Sequence, residues 1–444
     1  MGENMESSAP SPAHAITIEP VLRPFDAVVR VPGSKSITNR ALPIAAMADG
    51  VSTLHGVLFS DDTRRMIESL QRLGFQLHVE EPARRIQVVG GSGRIPAVES
   101  SLFCGNSGTT MRFLTAFCAA SSGRHCLHGV PRMHQRPIGE LITALAMLGG
   151  RLDYKDAPGF PPVCTTGTGL AGGICRFSAT QSSQYISAVL LASPLARQAV
   201  RIRLDGPVTS EPYVEMTLNM MDQFGIAFKQ ETTATGREIT IASGQHYRHR
   251  TYAIEPDASN ASYFLAAAAL IPQARVRILG LGNKSLQGDV AFAEVLKQVG
   301  AAVEILDDQI VLRGTGQITG IDINMNNIPD MVQTLAVVAL FARGPTRITG
   351  VGNLRLKETD RLAALQTELT RLGAQVRTTA ESITIEPPEI VHPARIHTYD
   401  DHRMAMAFAV AGLRQSGIQI ADPDCCAKTY PDFFRDLAAM AAVG

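Results

Sequence analysis

Gly33-Ser34-Lys35-Ser36-Ile37-Thr38-Asn39-Arg40 is the stretch from which the rest of the chain can be read. It follows an extended, β-rich run, Phe25-Asp26-Ala27-Val28-Val29-Arg30-Val31. It runs straight into an apolar helical pattern, Ala41-Leu42-Pro43-Ile44-Ala45-Ala46-Met47. The order of strand, turn and helix puts the stretch at a helix N-terminus. Free N–H groups and the positive end of the dipole there suit a phosphate or carboxylate. Lys35 and Arg40 add cations, and Ser36 and Arg40, four apart, share a helical face. The phosphate-binding loop of nucleotide hydrolases does not fit, because Ser34 rather than Gly precedes Lys35. A charged helix start on the surface is the plainer reading, and the recurrence of the pattern counts against it.

The recurrence sets the fold class. Leu73-Gly74, Leu148-Gly149, Phe224-Gly225, Val299-Gly300 and Leu372-Gly373 each close an amphipathic helical pattern, with the glycines 75, 76, 75 and 73 residues apart. Gly just past the last turn is the common C-cap. A short β alternation follows, as in Ala302-Val303-Glu304-Ile305. Each segment also carries an earlier helix introduced by small or polar residues. These starts are Ser34-Lys35-Ser36, Gly105-Asn106-Ser107-Gly108-Thr109, Gln181-Ser182-Ser183-Gln184, Asp257-Ala258-Ser259-Asn260, Ile328-Pro329-Asp330 and Asp400-Asp401-His402-Arg403. The pattern predicts six units of strand, helix, strand, helix and strand, the last truncated, in an α/β protein. Simple N-capping explains Asp257–Asn260. It explains Lys35, Arg40 and Arg403 less well, because cations are disfavoured at that end of the dipole. An anionic partner would remove the conflict.

Composition narrows the function. The chain has 444 residues, 45% hydrophobic and 18% charged, with 41 basic and 41 acidic residues and no Trp. That is an ordinary globular protein with room for two domains. It lacks the basic footprint of a nucleic-acid binder. Any anion site must concentrate positive charge locally. Seven cysteines without a C-x-x-C pair suggest neither a disulfide framework nor a zinc site, and point to a reducing cytoplasm. Residues 1–15 are polar and Pro/Ser-rich and are expected to form a disordered tail without a signal peptide. The apolar stretch at 261–271 is too short to span a bilayer.

Three further stretches carry chemistry. Pro131-Arg132-Met133-His134-Gln135-Arg136-Pro137 holds two Arg and a His between two Pro, which suits an anion clamp as well as an exposed loop. In Asn353-Leu354-Arg355-Leu356-Lys357-Glu358-Thr359-Asp360-Arg361, Lys357 and Arg361 read as a repulsive i,i+4 pair on a helix. Glu358 then reads as an acid whose pKa the cations set. Lys428 stands alone in a Cys425–Pro431 loop. No metal motif or dinucleotide fingerprint occurs. Many cations, few carboxylates and one notable His suit proton transfer on small polyanions.

Taken together, S-K-S-x-x-N-R at 34–40, the Gly105–Arg112 and Pro131–Pro137 stretches, Ser182-Ser183-Gln184, Asp330, K-E-T-D-R at 357–361, D-H-R-M at 401–404 and Lys428 resemble the family of 5-enolpyruvylshikimate-3-phosphate synthases. The resemblance runs from about Ile16 to the end. It implies a two-domain inside-out α/β barrel, with residues 16–33 and 256–444 in one domain, 34–255 in the other, and the site between them. It implies transfer of the enolpyruvyl group of phosphoenolpyruvate to the 5-hydroxyl of shikimate 3-phosphate. The reaction releases phosphate and passes through a tetrahedral intermediate, as part of aromatic amino acid biosynthesis. It implies Lys35, Asp330 and Glu358 as catalytic residues. Shikimate 3-phosphate would meet Lys35, Ser36, Arg40, Ser182, Ser183, Gln184, Ser210, Tyr213, Asp330, Asn353 and Lys357. Phosphoenolpyruvate would meet Lys35, Gly108, Arg136, Gln184, Arg361, His402, Arg403 and Lys428. No cofactor, metal, nucleic acid or membrane is expected, and the chain is expected to act as a cytoplasmic monomer.

Two departures from the family pattern stand out. Phe113 follows the motif Arg112, where the family usually has Pro, and Leu354 replaces an aromatic residue of several relatives. Phe113 predicts an altered response to glyphosate, which competes with phosphoenolpyruvate in this family. The sister reaction on UDP-N-acetylglucosamine is the nearest alternative. It expects a Lys-Asn pair at the first motif and a Cys in the Arg132–Arg136 loop. Only Cys118 and Cys126 lie near enough to keep it open. A non-catalytic anion-binding protein on the same fold is the other alternative.

Overall fold

A computed structural model describes residues 14–178 and 182–443. Residues 1–13 of the expected tail and Gln181 lie outside the described residues. Two residues expected to be disordered, His14 and Ala15, are not: Ala15–Thr17 is a strand paired antiparallel with Ile418–Ala421, and Asp422 N donates to His14 O.

The described residues form six small sheets, five of four strands and one of three. In the unit that follows strand Glu99–Phe103, helix Gly108–Ala120 leads to a parallel strand, Ser122–His128. Helix Gly139–Met147 then leads to the hairpin of Leu152–Tyr154 and Val163–Thr168. The sixth unit has strands Ala394–Ile396 and Ile418–Ala421 and takes its third from Ala15–Thr17.

The two helices of a unit differ in burial, and the sequence says why. Gly108–Ala120, Ala258–Leu270 and His402–Gly412 are mostly small or apolar, with Arg112, Asn260, His402 and Arg403 near their starts, and every residue is buried. Asp61–Arg72 and Arg361–Arg371 carry a polar stripe and cover the outside. The five glycines read as C-caps all have positive φ, between 88° and 116°.

Two hydrophobic cores result. One gathers residues between Ile37 and Ile254; the other gathers Ile18–Val31 with residues from Ala258 to Met440. The first strands of two units are exchanged between them. Asp26–Val29 pairs in parallel with Arg275–Leu279, while Thr251–Ala253 pairs with Val51–His55. The two crossings run side by side: Ser34 N donates to Glu255 O (2.7 Å) and Asp257 N to Pro32 O (2.8 Å).

Two expectations need correction. Cys126 and Cys164 form a disulfide, because they face each other across the antiparallel strands Ser122–His128 and Val163–Thr168. That register is not visible in their spacing along the chain. Lys357 and Arg361 do not share a helix. Asp360 caps the helix at Arg361, accepting from Ala363 N, and Lys357 lies in the irregular segment before it.

Candidate active site

The first turns of helices Lys35–Met47, Gly108–Ala120, Ser183–Ala192 and His402–Gly412 converge on one cavity between the cores. The turn Pro329–Met331, which leads into Val332–Ala339, joins them. Converging helix N-termini present positive partial charge to the cavity. Lining cations Lys35, Arg40, Arg136, Lys357, Arg361 and Arg403 outnumber the lining carboxylates Asp62, Asp330 and Glu358. The neutral chain thus focuses positive charge at this place.

Asp330 sits at the centre of the charge mesh. Its Oδ2 accepts from Arg403 Nη2 (2.9 Å) and its Oδ1 from Arg361 Nη1 (3.1 Å), with Lys357 Nζ 3.4 Å away. Burial alone would raise its pKa, but Arg403, Lys357 and Arg361 hold it far below the usual carboxylate range. Glu358 accepts from Arg361 Nη2 (3.0 Å) and lies 3.9 Å from Arg136 Nη1. Burial again opposes, and Arg361, Arg136 and Lys428 win, so Glu358 is a carboxylate well below its ordinary pKa. The acid held among cations is therefore present. Arg361, 1% exposed, is fixed by both oxygens of buried Asp401. Asp401 also accepts from Arg403 N. Burial lowers the pKa of Lys357.

Lys35 opens its helix with Nζ 3.2 Å from Asp62 Oδ2, and its N donates to Asp257 Oδ2 (2.9 Å). Asp257 therefore caps two helices, its own through Asn260 N and that of Lys35. Lys428 does not line the cavity. It stands behind Asp62, donating to Asp62 Oδ1 (2.6 Å) and Asn106 O (3.0 Å).

Arg40 is wholly buried, and burial brings its pKa down to about 10. It donates to Thr217 Oγ1, Ser36 O, Ser187 Oγ and Tyr213 O. Its guanidinium lies 5.1 Å from the ring centre of Phe113 and 5.8 Å from that of Tyr213. So Phe113 acts on the site through Arg40.

The neutral donors also line the cavity: Ser36, Ser182, Ser183, Gln184, Ser210, Tyr213 and Asn353. Ser210 adopts φ 57° and donates its N–H to Asn326 O. Arg112 donates to Gln184 Oε1 (2.6 Å) and so turns the amide nitrogen of Gln184 away from itself. Asn353 Oδ1 is buried without a partner among the described residues, as are both ring nitrogens of His402. Burial, then Lys35 and Arg403, keeps the His402 ring neutral, well below its ordinary pKa. Gly108 leaves no room to spare, since a Cβ there would meet Arg112 Nη1 at 2.7 Å and Arg136 Nη2 at 2.9 Å.

Sequence reading missed Asp62, Asp289, Asp401 as a ligand of Arg361, and Thr109. Asp62 lies in an ordinary acidic first turn, and only the fold brings Lys35 and Lys428 to it. Asp289 accepts from Tyr213 Oη (2.8 Å) across the cleft and from Ser259 Oγ (2.5 Å) within its own core, and burial pushes its pKa up to about 6. His134 proves structural, its Nε2 accepting from Gly129 N. Among the described residues, no group of three or more His, Cys, Asp or Glu is placed to hold a metal.

Two partly buried carboxylates set in one cavity among six cations fit one kind of work: moving a small group between polyanions. That places the protein among the group transferases. The chain belongs to the EPSP synthase family, described as EPSP synthase (3-phosphoshikimate 1-carboxyvinyltransferase), whose profile matches residues 22–437. A 3-phosphoshikimate 1-carboxyvinyltransferase of Trichormus variabilis is 46% identical over 96% of this chain and 99% of its own length. One of Shewanella baltica is 43% identical over the same shares. The structure of EPSP synthase from Acinetobacter baumannii matches with a TM-score of 0.78 at 26% identity, covering 96% of this chain and 97% of that one. The UDP-N-acetylglucosamine alternative loses its footing. Burial raises the Cys118 thiol pKa, and Cys126 is tied in the disulfide.

Proposed function

We propose that shikimate 3-phosphate and phosphoenolpyruvate lie side by side in this cleft and react by addition and elimination. The activity is 3-phosphoshikimate 1-carboxyvinyl transfer, as family membership and the intact acids and cations require. Asp330 takes the proton of the 5-hydroxyl as its oxygen bonds to C2 of phosphoenolpyruvate. Glu358 gives a proton to C3, making the tetrahedral ketal. It then takes a proton back from the new methyl group as the C2–O bond to phosphate breaks. The C2–C3 double bond re-forms in the product, and phosphate leaves carrying the proton that Asp330 took, so both carboxylates return to their starting states. Lys35, Arg136 and Arg403 stabilise the anionic groups throughout.

The low pKa values give the substrates a further part. While Arg361, Arg403 and Arg136 are spent on Asp330 and Glu358, these carboxylates are weak bases. Substrate phosphate and carboxylate draw on the same cations, and both carboxylates then regain affinity for protons. Ser36, Ser182, Ser183, Ser210, Tyr213, Asn353 and Lys357 hold shikimate 3-phosphate. Gly108, Gln184 and His402 complete the place of phosphoenolpyruvate, and Lys428 acts from behind the cavity wall through Asp62. The two cores are the bodies that close on the substrates. A cytoplasmic monomer is part of this proposal, checked by sedimentation of the protein at assay concentration; no described helix is long and apolar enough to cross a membrane.

The observation that carries this reading is the pair Asp330 and Glu358, both partly buried at the cleft and sharing Arg361. Phosphate release from phosphoenolpyruvate tests it. Release that requires shikimate 3-phosphate is the expected result. Binding of shikimate 3-phosphate without release would leave an anion-binding protein.

A further inference from the structure

We propose that Arg132 is a positioning residue for Glu358, gripping its backbone from the opposite side of the cleft and setting it for proton transfer only when the two cores are closed. The proposal rests on the proton-carrying role of Glu358 given above.

Lys357 and Glu358 belong to the core that contains Ala258–Met440, and Arg132 to the one that contains Ile37–Ile254. Arg132 Nη2 donates to Lys357 O (2.8 Å) and its Nε to Glu358 O (3.0 Å), while Nη1 reaches Gln135 Oε1 (3.2 Å). One planar fork thus holds two successive carbonyls, a geometry a point-charge ammonium cannot copy. Among the described residues, the hydrogen bonds these carbonyls accept come from Arg132. The segment needs such a hold. The 3-10 turn Gly352–Leu356 ends before it, and the helix begins after it at Arg361, so neither supplies donors.

The turn that bears Arg132 is stiff. Met133 is 1% exposed, Val130 N donates to Gly105 O, Gly129 N to His134 Nε2 and Arg136 N to Met133 O. Four residues on, the same turn sends Arg136 to within 3.9 Å of the Glu358 carboxylate. A single rigid turn therefore addresses Glu358 twice, by backbone through Arg132 and by side chain through Arg136. Other bonds also cross the cleft, from Lys428 to Asp62 and Asn106 O, from Tyr213 to Asp289 and from Ser210 N to Asn326 O, but none of them reaches Glu358. Arg132 differs in fixing the path of the chain at the proton carrier. It is half-exposed, so its removal opens no core.

The test compares Arg132→Ala, Arg132→Lys, Glu358→Gln and the double variant Arg132→Ala/Glu358→Gln. Phosphate release gives kcat and KM, and calorimetry gives shikimate 3-phosphate affinity. Arg132→Ala should lower kcat by about 100-fold, the scale of a misplaced catalytic group, with shikimate 3-phosphate affinity and melting temperature unchanged. Arg132→Lys should fall between, and added methylguanidinium should restore part of the Arg132→Ala rate. In the Glu358→Gln background, removing Arg132 should cost almost nothing more. An equal loss in both backgrounds overturns the proposal, as does a rate for Arg132→Ala within about threefold of the native one. Near-native turnover of Glu358→Gln alone would instead overturn the role of Glu358 on which the proposal stands.

Discussion

The two cores bring different chemistry to the same cleft. The core of residues 37–254 supplies mostly neutral hydrogen-bonding groups, namely Ser36, Thr109, Ser182, Ser183, Gln184, Ser210 and Tyr213, with Lys35, Arg40 and Arg136 among them. The core of residues 258–440 supplies a charge mesh in which Asp330, Lys357, Glu358, Arg361, Asp401 and Arg403 are tied to one another. The first suits recognition of a polyol phosphate, because hydroxyls fix orientation without titrating. The second suits reaction, but its carboxylates are held ionised by their partners. On the proposed reading, most of the neutral recognition falls to the first core and proton transfer to the second, whose ion pairs the ligand anions would loosen.

If that division is right, Glu358→Gln should cut kcat by about 10³-fold and leave shikimate 3-phosphate affinity nearly unchanged, by calorimetry. Comparable losses in both would erase the distinction between the cores.

A smaller effect concerns the bond between them. The raised pKa of Asp289 means the folded protein keeps a proton that the unfolded chain gives up. Stability from this group is complete below about pH 3.8 and is lost as pH rises through about 6. The loss is at most about 3 kcal/mol. Urea unfolding at pH 4.5 and 7 should show this fall in the native protein and a flatter profile in Asp289→Asn. Equal slopes would remove Asp289 as a titrating link across the cleft.

Gly108→Ala should push Arg136 and Arg112 aside. We expect the KM for phosphoenolpyruvate to rise about tenfold while kcat stays within about threefold, keeping the damage on the binding side. A kcat collapse would show that Arg136 works chiefly on the chemistry. The smallest effect is expected from Phe113→Leu, which removes the ring beside Arg40. Cation–π contacts of this kind contribute about 1 kcal/mol, so the KM for shikimate 3-phosphate should rise only a few-fold. The glyphosate inhibition constant should shift as well. Identical constants for the two proteins would disconnect Phe113 from the site.

Much of this was legible in the chain. The helix starts carry their caps in plain view, and the glycine spacing counted the units before any sheet was seen. Lys35 and Arg403 stood out because they sit where the helix dipole disfavours cations, and with Arg40 they line the cavity. What stayed hidden depends on register and on distance along the chain. Cys126 meets Cys164 only once two strands align. Asp62 becomes part of the site only when Lys428 arrives from the far end of the chain. Asp360 looked like a residue within a helix, and its capping bond to Ala363 puts Lys357 outside it.

The exchanged first strands carry a consequence for biosynthesis. Asp26–Val29 leaves the ribosome early, yet its partner Arg275–Leu279 follows only after the whole of the other core has been made. That intervening core cannot finish its own first sheet until Thr251–Ala253 emerges. The nascent chain must therefore carry an unpaired strand through most of its synthesis, a template for stray pairing that chaperones would have to shield. A circular permutant that moved residues 14–33 to follow the present C-terminus would delay that strand until its partner exists, and should fold in the cell with less aggregation.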